Sequence, residues 1–326
     1  MAAVAGGLWL ALLGGCGGGG DDGSQAPDGA GRKLAVAANF PKPSNRSFRN
    51  LIGNMRQGPE LAPSVSVLEP GTERFGFALF DRGNRQIGDL DVVLYVAKGL
   101  DETTHGPYPA RYEPIDVKPA FQSKTSAEDP DSARSVYVAR ILFPTAGSYL
   151  VSAVTRLDRK LVATSPAQVM VRASSAVPSV GDRAPRTHTP TVASVGGDVR
   201  KIDTRVPPDD MHDVDLVDAL RRHRPVVLLF ATPALCQSRV CGPVTDVAEQ
   251  VKAEYHDKVD FIHMEVYKDN DPNKGVRPQM LAWACAFGRC SEPFVFVINR
   301  RGRVAARIEG AFSPAELRAA VRKALS

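Results

Sequence analysis

Two cysteines five residues apart, Cys236 and Cys241, stand in the stretch "ATPALCQSRVCGPV" (residues 231–244), between an apolar run and a helix-like pattern. A second pair with the same step, Cys285 and Cys290, brackets "CAFGRC", and the fifth cysteine, Cys16, lies alone near the N-terminus. Sulfur at such spacing serves either as a staple or as a tool. Thiol–disulfide exchange needs one accessible thiolate and a second thiol near enough to resolve the mixed disulfide. A helix N-terminus favours the first requirement, because its unpaired N–H groups and positive dipole end stabilise an anionic sulfur. Counted from the apolar run, Cys236 is the attacking sulfur, and Cys241, in the first helical turn, folds back onto it. Arg239 is placed to add a local positive charge. The four cysteines beyond Cys16 allow three pairings, and pairing within each couple needs the least rearrangement.

Whether such bonds persist depends on the compartment. The apolar run over residues 2–15 is too short to span a bilayer, which takes ~20 residues, and reads as a targeting segment. Its end, Leu13-Gly14-Gly15-Cys16, resembles the bacterial lipobox, whose cysteine is lipidated and becomes the mature N-terminus. The resemblance implies a signal peptide over 1–16, a flexible Gly-rich tether over 17–33, and an extracytoplasmic protein anchored to the bacterial cell membrane through lipid on Cys16. No later stretch approaches 18 consecutive apolar residues.

The 326 residues suffice for two domains, and the apolar content of 43% supports packed cores. The rhythm changes along the chain. Over 34–172, "RFGFALFD", "LDVVLYVA", "SVYVARILF" and "LVATSPAQVMVR" read as strands separated by turn residues, as in "DRGNRQIGD". Gly147-Ser148-Tyr149 opening an apolar strand resembles a late strand of immunoglobulin-like sandwiches, so an all-β sandwich of that kind is expected, as a binding or spacer module. Residues 173–210 form a Pro/Ser/Gly-rich boundary with a lead-in segment. From 211 to 326 the pattern is α/β. "DVDLVDALRRH" reads as a helix, and "RPVVLLFA" is the continuous apolar run of a strand buried on both faces. Val240, Val244, Val247, Ala248, Val251 and Tyr255 keep helical spacing, and "VDFIHMEVY" is a second strand. "QMLAWACAF" reads as a helix through Phe287, with Gly288 at its C-cap. "PFVFVI" and "RVAARIEG" make a hairpin, and Ser313-Pro314-Ala315-Glu316 opens a last helix with a capping box.

That order, with paired cysteines between a buried strand and the next helix, resembles the thioredoxin fold over roughly residues 179–326. "VGDRAP" (residues 180–185) is similar to the sequence with which peroxiredoxins and membrane-anchored thioredoxin-like proteins begin. "CGPV" at Cys241 echoes the family's Cys-Gly-Pro-Cys box, and Pro293 stands where the family places a cis-proline facing the redox cysteines. The resemblance implies a thiol–disulfide oxidoreductase with Cys236, Cys241 and Pro293 in its site. The chain departs from the pattern in holding four residues between its cysteines. Matching "CGPV" to the family box makes Cys241 the first cysteine instead. No acid lies in "VVLLF", where thioredoxins keep a buried carboxylate, and Glu265 reads as an edge or surface residue.

Cys285 and Cys290 read either as a second redox couple or as a structural disulfide tying a helix end to a strand, with Trp283 nearby as core or site wall. The net charge of +5 comes without a Lys/Arg block or an aromatic-interleaved basic stretch, so nucleic acid is not an expected partner. The histidines (105, 188, 212, 223, 256 and 263) show no metal-ligand spacing. His256 and His263 read as solvated or edge residues, and neither a metal nor another cofactor is expected. Three functions stay open. The first is an extracytoplasmic oxidoreductase acting on protein thiols or disulfides. The second is a non-catalytic binding lipoprotein stapled by both pairs. The third is a peroxiredoxin-like peroxidase or copper-transfer protein. Against the peroxidase, Thr232 stands one residue too far from Cys236, and Leu229 occupies the place of the family's proline.

Overall fold

Alternating apolar residues build the strands of the N-terminal half: β1 (Glu60–Pro63), β2 (Gly71–Phe80), β3 (Val93–Ala97), β4 (His105–Pro114), β5 (Ser135–Phe143), β6 (Gly147–Leu157), β7 (Lys160–Ala163) and β8 (Ala167–Val171). The structure, a computed structural model, describes Met1 and residues 33–326. Cys16, its lipobox and the tether up to residue 32 lie outside the described residues. With the short strands Lys33–Leu34 and Arg56–Gln57, the eight form one ten-stranded sheet whose main path runs Arg56–Gln57, β7, β6, β3, β4, β5, β2, β1. Lys33–Leu34 is added on β4 and β8 on β6. Strand β4 makes the path curl. Its first half pairs with β3 (Val93↔Pro109, Leu94↔Tyr108), and its second half pairs with β5 from Ala110↔Ala139 to Pro114↔Ser135. Phe75, Phe77 and Phe143 on one part of the curl thereby meet Leu94, Tyr149 and Val171 on the other in a single core. The Tyr149 hydroxyl donates back to the Thr145 carbonyl at 2.9 Å, fixing the turn that precedes β6.

The C-terminal half follows as α1 (Leu216–Arg221), β9 (Val226–Phe230), α2 (Cys241–Tyr255), β10 (Asp260–Met264), α3 (Pro278–Trp283), β11 (Phe294–Ile298), β12 (Val304–Glu309) and α4 (Pro314–Leu325). This is the element order expected from the sequence. The four strands lie in the order β10-β9-β11-β12, with β9 and β10 parallel and the other pairings antiparallel. All five residues of β9 are buried because helices cover both faces. Val227 and Leu229 meet Val247, Val251, Leu317 and Val321 of α2 and α4. Val226, Leu228 and Phe230 meet Leu216, Met280 and Trp283 of α1 and α3.

Two local expectations are corrected. The helix expected through Phe287 ends at Trp283. The following residues form a small hairpin, Cys285↔Cys290 and Ala286↔Arg289, turning at Phe287 (φ 54°) and Gly288 (φ 78°). A two-residue turn of this kind needs positive φ at both central positions, which glycine adopts without a Cβ clash. Gly288 is therefore a turn residue and not a helix cap. The second correction concerns α4. Ser313 caps it, its Oγ accepting from Glu316 N at 3.0 Å, but the Glu316 carboxylate does not close the capping box. Arg74 of β2 takes it, Nε at 2.6 Å and Nη2 at 2.8 Å, and also donates to the carbonyls of Glu309 and Ala311.

That arginine fastens the curled sheet to β12 and α4. Residues between β8 and α1 are fastened too: Gly181 N donates to Val304 O at 2.8 Å, Ala184 N donates to Gly302 O at 2.9 Å, and Val177 and Ala184 enter the core beside β9. The described residues from 33 onward fall in one compact unit. Among them, no helix is long and apolar enough to cross a membrane.

Candidate functional site

Strand β9 ends at Phe230, and the chain then turns on itself before α2. Leu235 N and Cys236 N both donate to the Thr232 carbonyl, and Arg239 N donates to Cys236 O at 3.2 Å. Arg239 itself takes φ 59°, which swings the chain into the helix. Cys236 and Cys241 are joined in a disulfide with their Cα atoms 5.9 Å apart, an ordinary span for such a bond. Cys241 is the first residue of α2 and is fully buried, while Cys236 is half-buried on the turn. The two cysteines are thus unequally buried. Arg239 does not lend its charge to sulfur as expected. Its Nη1 lies 2.7 Å from Oδ2 of Asp129, an acid from the far half of the chain.

Sequence reasoning missed Glu292. Its Oε2 lies 3.6 Å from Sγ of Cys241, and its peptide bond to Pro293 is cis. Pro293, the expected cis-proline, therefore stands next to a carboxyl that touches the buried sulfur. Burial pushes the Glu292 carboxyl up to about 7. Hydrogen bonds from Thr232 and Tyr267 oppose the shift, and the nearby Glu265 carboxyl adds to it. The signal in the sequence was only position, an acid just ahead of the candidate cis-proline.

Glu265 is not the edge or surface residue expected. It is 1% exposed, and its Oε1 accepts from Thr204 N and Oγ1, both at 2.7 Å. Oε2 has no hydrogen-bond partner. Burial holds this carboxyl above the usual carboxylate range against the pull of His263. Two acids from other segments thus lie near each other beside the site, Glu265 directly after β10 and Glu292 two residues before β11.

His263 is also corrected. His256 lies on the surface as expected, but His263 is 1% exposed, with Nδ1 2.7 Å from Asp209 Oδ2 and Nε2 3.0 Å from the Ala231 carbonyl. Burial works against a charged ring there, yet the Asp209 and Asp203 carboxylates outweigh it and lift the ring to about 10. His212, also buried, completes the group. These residues lie far apart in the chain, so their spacing hid them.

Cys285 and Cys290 form the second disulfide, across the two-residue hairpin rather than between a helix end and a strand. Cys285 is half-buried and Cys290 exposed, and the guanidinium of Arg172 sits 4.0 Å over the ring of Phe287 at the hairpin tip. Trp283 is core, its Nε1 donating to Thr187 Oγ1 at 2.9 Å. Reduced, the group Cys236, Cys241 and Glu292 also presents three ligand-type atoms within 4.8 Å of one another.

No protein-family model matches this chain, and no curated protein matches it. Among solved structures, it is similar to a thiol:disulfide interchange protein, a thioredoxin-family protein from Chlorobium tepidum TLS. The identity is 18% and the TM-score 0.32, over 46% of this chain and all of that one. An overlay that loose carries no residue role across.

Proposed function

We propose that the chain exchanges disulfides through Cys236 and Cys241, as an extracytoplasmic lipoprotein tethered through Cys16. One observation carries the reading: a partly buried cysteine on the turn bonded to a fully buried one at the mouth of α2, with a carboxyl 3.6 Å from the buried sulfur. In the reducing direction, the Cys236 thiolate attacks one sulfur of a partner disulfide. A mixed disulfide forms, and the partner's other sulfur leaves as a thiolate that takes up a proton. The Cys241 thiol then passes its proton to the Glu292 carboxylate and attacks Sγ of Cys236. The Cys236–Cys241 bond closes, and the partner's second sulfur leaves as a thiolate. The partner gains two electrons and the protein dithiol loses two; oxidation of a partner runs the same steps backwards. The α2 N-terminus supports the thiolate of whichever sulfur is free.

In this reading residues 211–326 form a thioredoxin-like domain. Residues 34–172 form an immunoglobulin-like one, which the Tyr149–Thr145 contact at the start of β6 supports. Residues 173–210 connect the two. The partner is a protein thiol or disulfide on the same side of the membrane.

The reduction potential of Cys236–Cys241, measured by equilibration with glutathione buffers, tests the proposal. Structural disulfides lie below about −300 mV and exchange-active ones lie above it. A value well below that line, together with no turnover of a protein disulfide, leaves only a staple.

A further inference from the structure

Directly behind the turn that carries Cys236, four side chains from two stretches of chain converge: Asp203, Asp209 and His212 from the irregular segment before α1, and His263 from β10. None is more than 6% exposed. His263 Nδ1 lies 2.7 Å from Asp209 Oδ2 and 4.0 Å from Asp203 Oδ1. His212 Nε2 lies 3.2 Å from Asp209 Oδ1 and 3.5 Å from Asp203 Oδ2. One ligand atom from each of the four residues lies within 4.8 Å of the others, a cluster that small inward shifts bring to the ~3.3 Å separation of ligand atoms around a tetrahedral ion with bonds of ~2.0–2.1 Å.

A second observation points to a ligand. His212 Nε2 is sealed from water and aims at both carboxylates, 3.2 and 3.5 Å away, without well-aligned hydrogen-bond geometry to either. A buried imidazole nitrogen is ordinarily satisfied, and a cation between the carboxylates satisfies this one. The surroundings are those of a held ligand set. His263 places Nε2 against the Ala231 carbonyl, the outer contact that fixes a metal-binding imidazole and leaves its other nitrogen facing inward. Backbone amides orient the acids: Arg205 N and Asp209 N donate to Asp203, and Met211 N donates to Asp209. A divalent cation displaces the protons that the carboxylates otherwise hold on the imidazoles, and the ligand set it then meets, two carboxylates and two neutral imidazoles, carries two negative charges for it to neutralise.

We propose that Asp203, Asp209, His212 and His263 bind one zinc-class divalent cation in a closed, four-coordinate structural site. Mixed imidazole and carboxylate donors suit Zn2+, and a set supplied wholly by the protein leaves no position open for substrate. The ion ties the irregular segment 203–212 to the ends of β9 and β10. It thereby backs the turn bearing Cys236, independently of whether that turn exchanges disulfides.

The test uses the full chain with both disulfides closed and the remaining thiol, Cys16, blocked by alkylation, so that no thiol can bind metal. After stripping with chelator and dialysis against Zn2+, elemental analysis finds one zinc per chain. Co2+ gives the visible absorption bands of a tetrahedral N/O site. His212→Gln and Asp203→Asn each weaken Zn2+ affinity at least tenfold, whereas His256→Gln, on the surface, leaves it unchanged. Absence of stoichiometric zinc, or affinity unaltered in both site variants, overturns the proposal. Because a site variant can fail to fold, the Co2+ spectrum of the unaltered chain decides independently: no bands, or octahedral ones, overturn the site as described.

Discussion

Oε2 of Glu292 stands 3.6 Å from Sγ of Cys241, at the first residue of α2. The acid arrives from the loop before β11 and the sulfur from the turn after β9, and these two strands are neighbours in the sheet. The pairing thus follows from sheet order, and it brings a carboxyl titrating near neutrality to a sulfur that solvent does not reach.

Its first consequence is a pH dependence of stability. Burial lifts Glu292 to about 7, so near pH 6 the folded protein keeps a proton that the unfolded chain releases. The stability this contributes is fully present below the unfolded value of about 4.5 and is lost as pH rises through about 7. Glu292→Gln removes the titration. Urea unfolding of the oxidised protein is expected to show a flatter pH profile between pH 5 and 8, with the variant gaining up to roughly 3 kcal/mol at pH 8. An unchanged slope assigns the titration to another group.

The unequal burial of the two cysteines predicts which of them a partner captures. Cys241→Ser leaves the half-exposed Cys236 free, and it should accumulate a mixed disulfide with oxidised glutathione or a model protein disulfide. Cys236→Ser leaves only the buried Cys241 and should accumulate little. Mass spectrometry under non-reducing conditions reads both, and the reverse pattern makes Cys241 the attacking sulfur.

Glu292 also predicts a kinetic effect. With the proton acceptor gone, closure of Cys241 onto a mixed disulfide at Cys236 should slow by about 10²-fold at pH 7. Alkylation of Cys236 in the reduced protein should change little. Stopped-flow kinetics of the two reactions separate them, and equal slowing of both points to a distorted turn instead.

Arg74 is 9% exposed and holds Glu316 together with two carbonyls across the seam between the curled sheet and α4. Arg74→Leu strands the partly buried Glu316 carboxylate, for which a loss of about 3–5 kcal/mol is expected. Calorimetry should show the whole described chain losing stability together. A shift confined to one of two separate transitions would mean the seam is not cooperative.

The hairpin disulfide closes only a short loop, so the double change Cys285→Ser, Cys290→Ser should cost about 2 kcal/mol. Exchange at Cys236–Cys241 should persist. Loss of turnover without loss of folding would make the second pair a redox relay.

Much of the C-terminal half was legible before any coordinates. The unbroken apolar run of β9 signals a strand covered on both faces, and Ser313-Pro314 marks the start of α4. The position of the cysteines between strand and helix was readable from the apolar run before them and the helical spacing after them, whereas Pro293 as a cis-proline was expected only from the family resemblance. The helix expected across Cys285 failed because the nearly unbroken apolar run "MLAWACAF" carries no period that separates helix from strand, and the pair Phe287-Gly288 settles the outcome through backbone φ. The capping box at Glu316 half failed because a distant arginine offers the carboxylate a stronger partner than one backbone amide.

The sequence by itself determined where sulfur meets a helix mouth, that β9 is buried on both faces, and where the pattern changes from β to α/β. These are matters of neighbouring residues, periodicity and turn chemistry. Only the tertiary structure decided that Glu292 faces Cys241, that Glu265 and His263 are interior, and that His212 and His263 close on Asp203 and Asp209. Burial and electrostatic partnership depend on which strands the sheet sets side by side. That arrangement joins residues as far apart as Asp209 and His263, 54 positions along the chain, which no local pattern records.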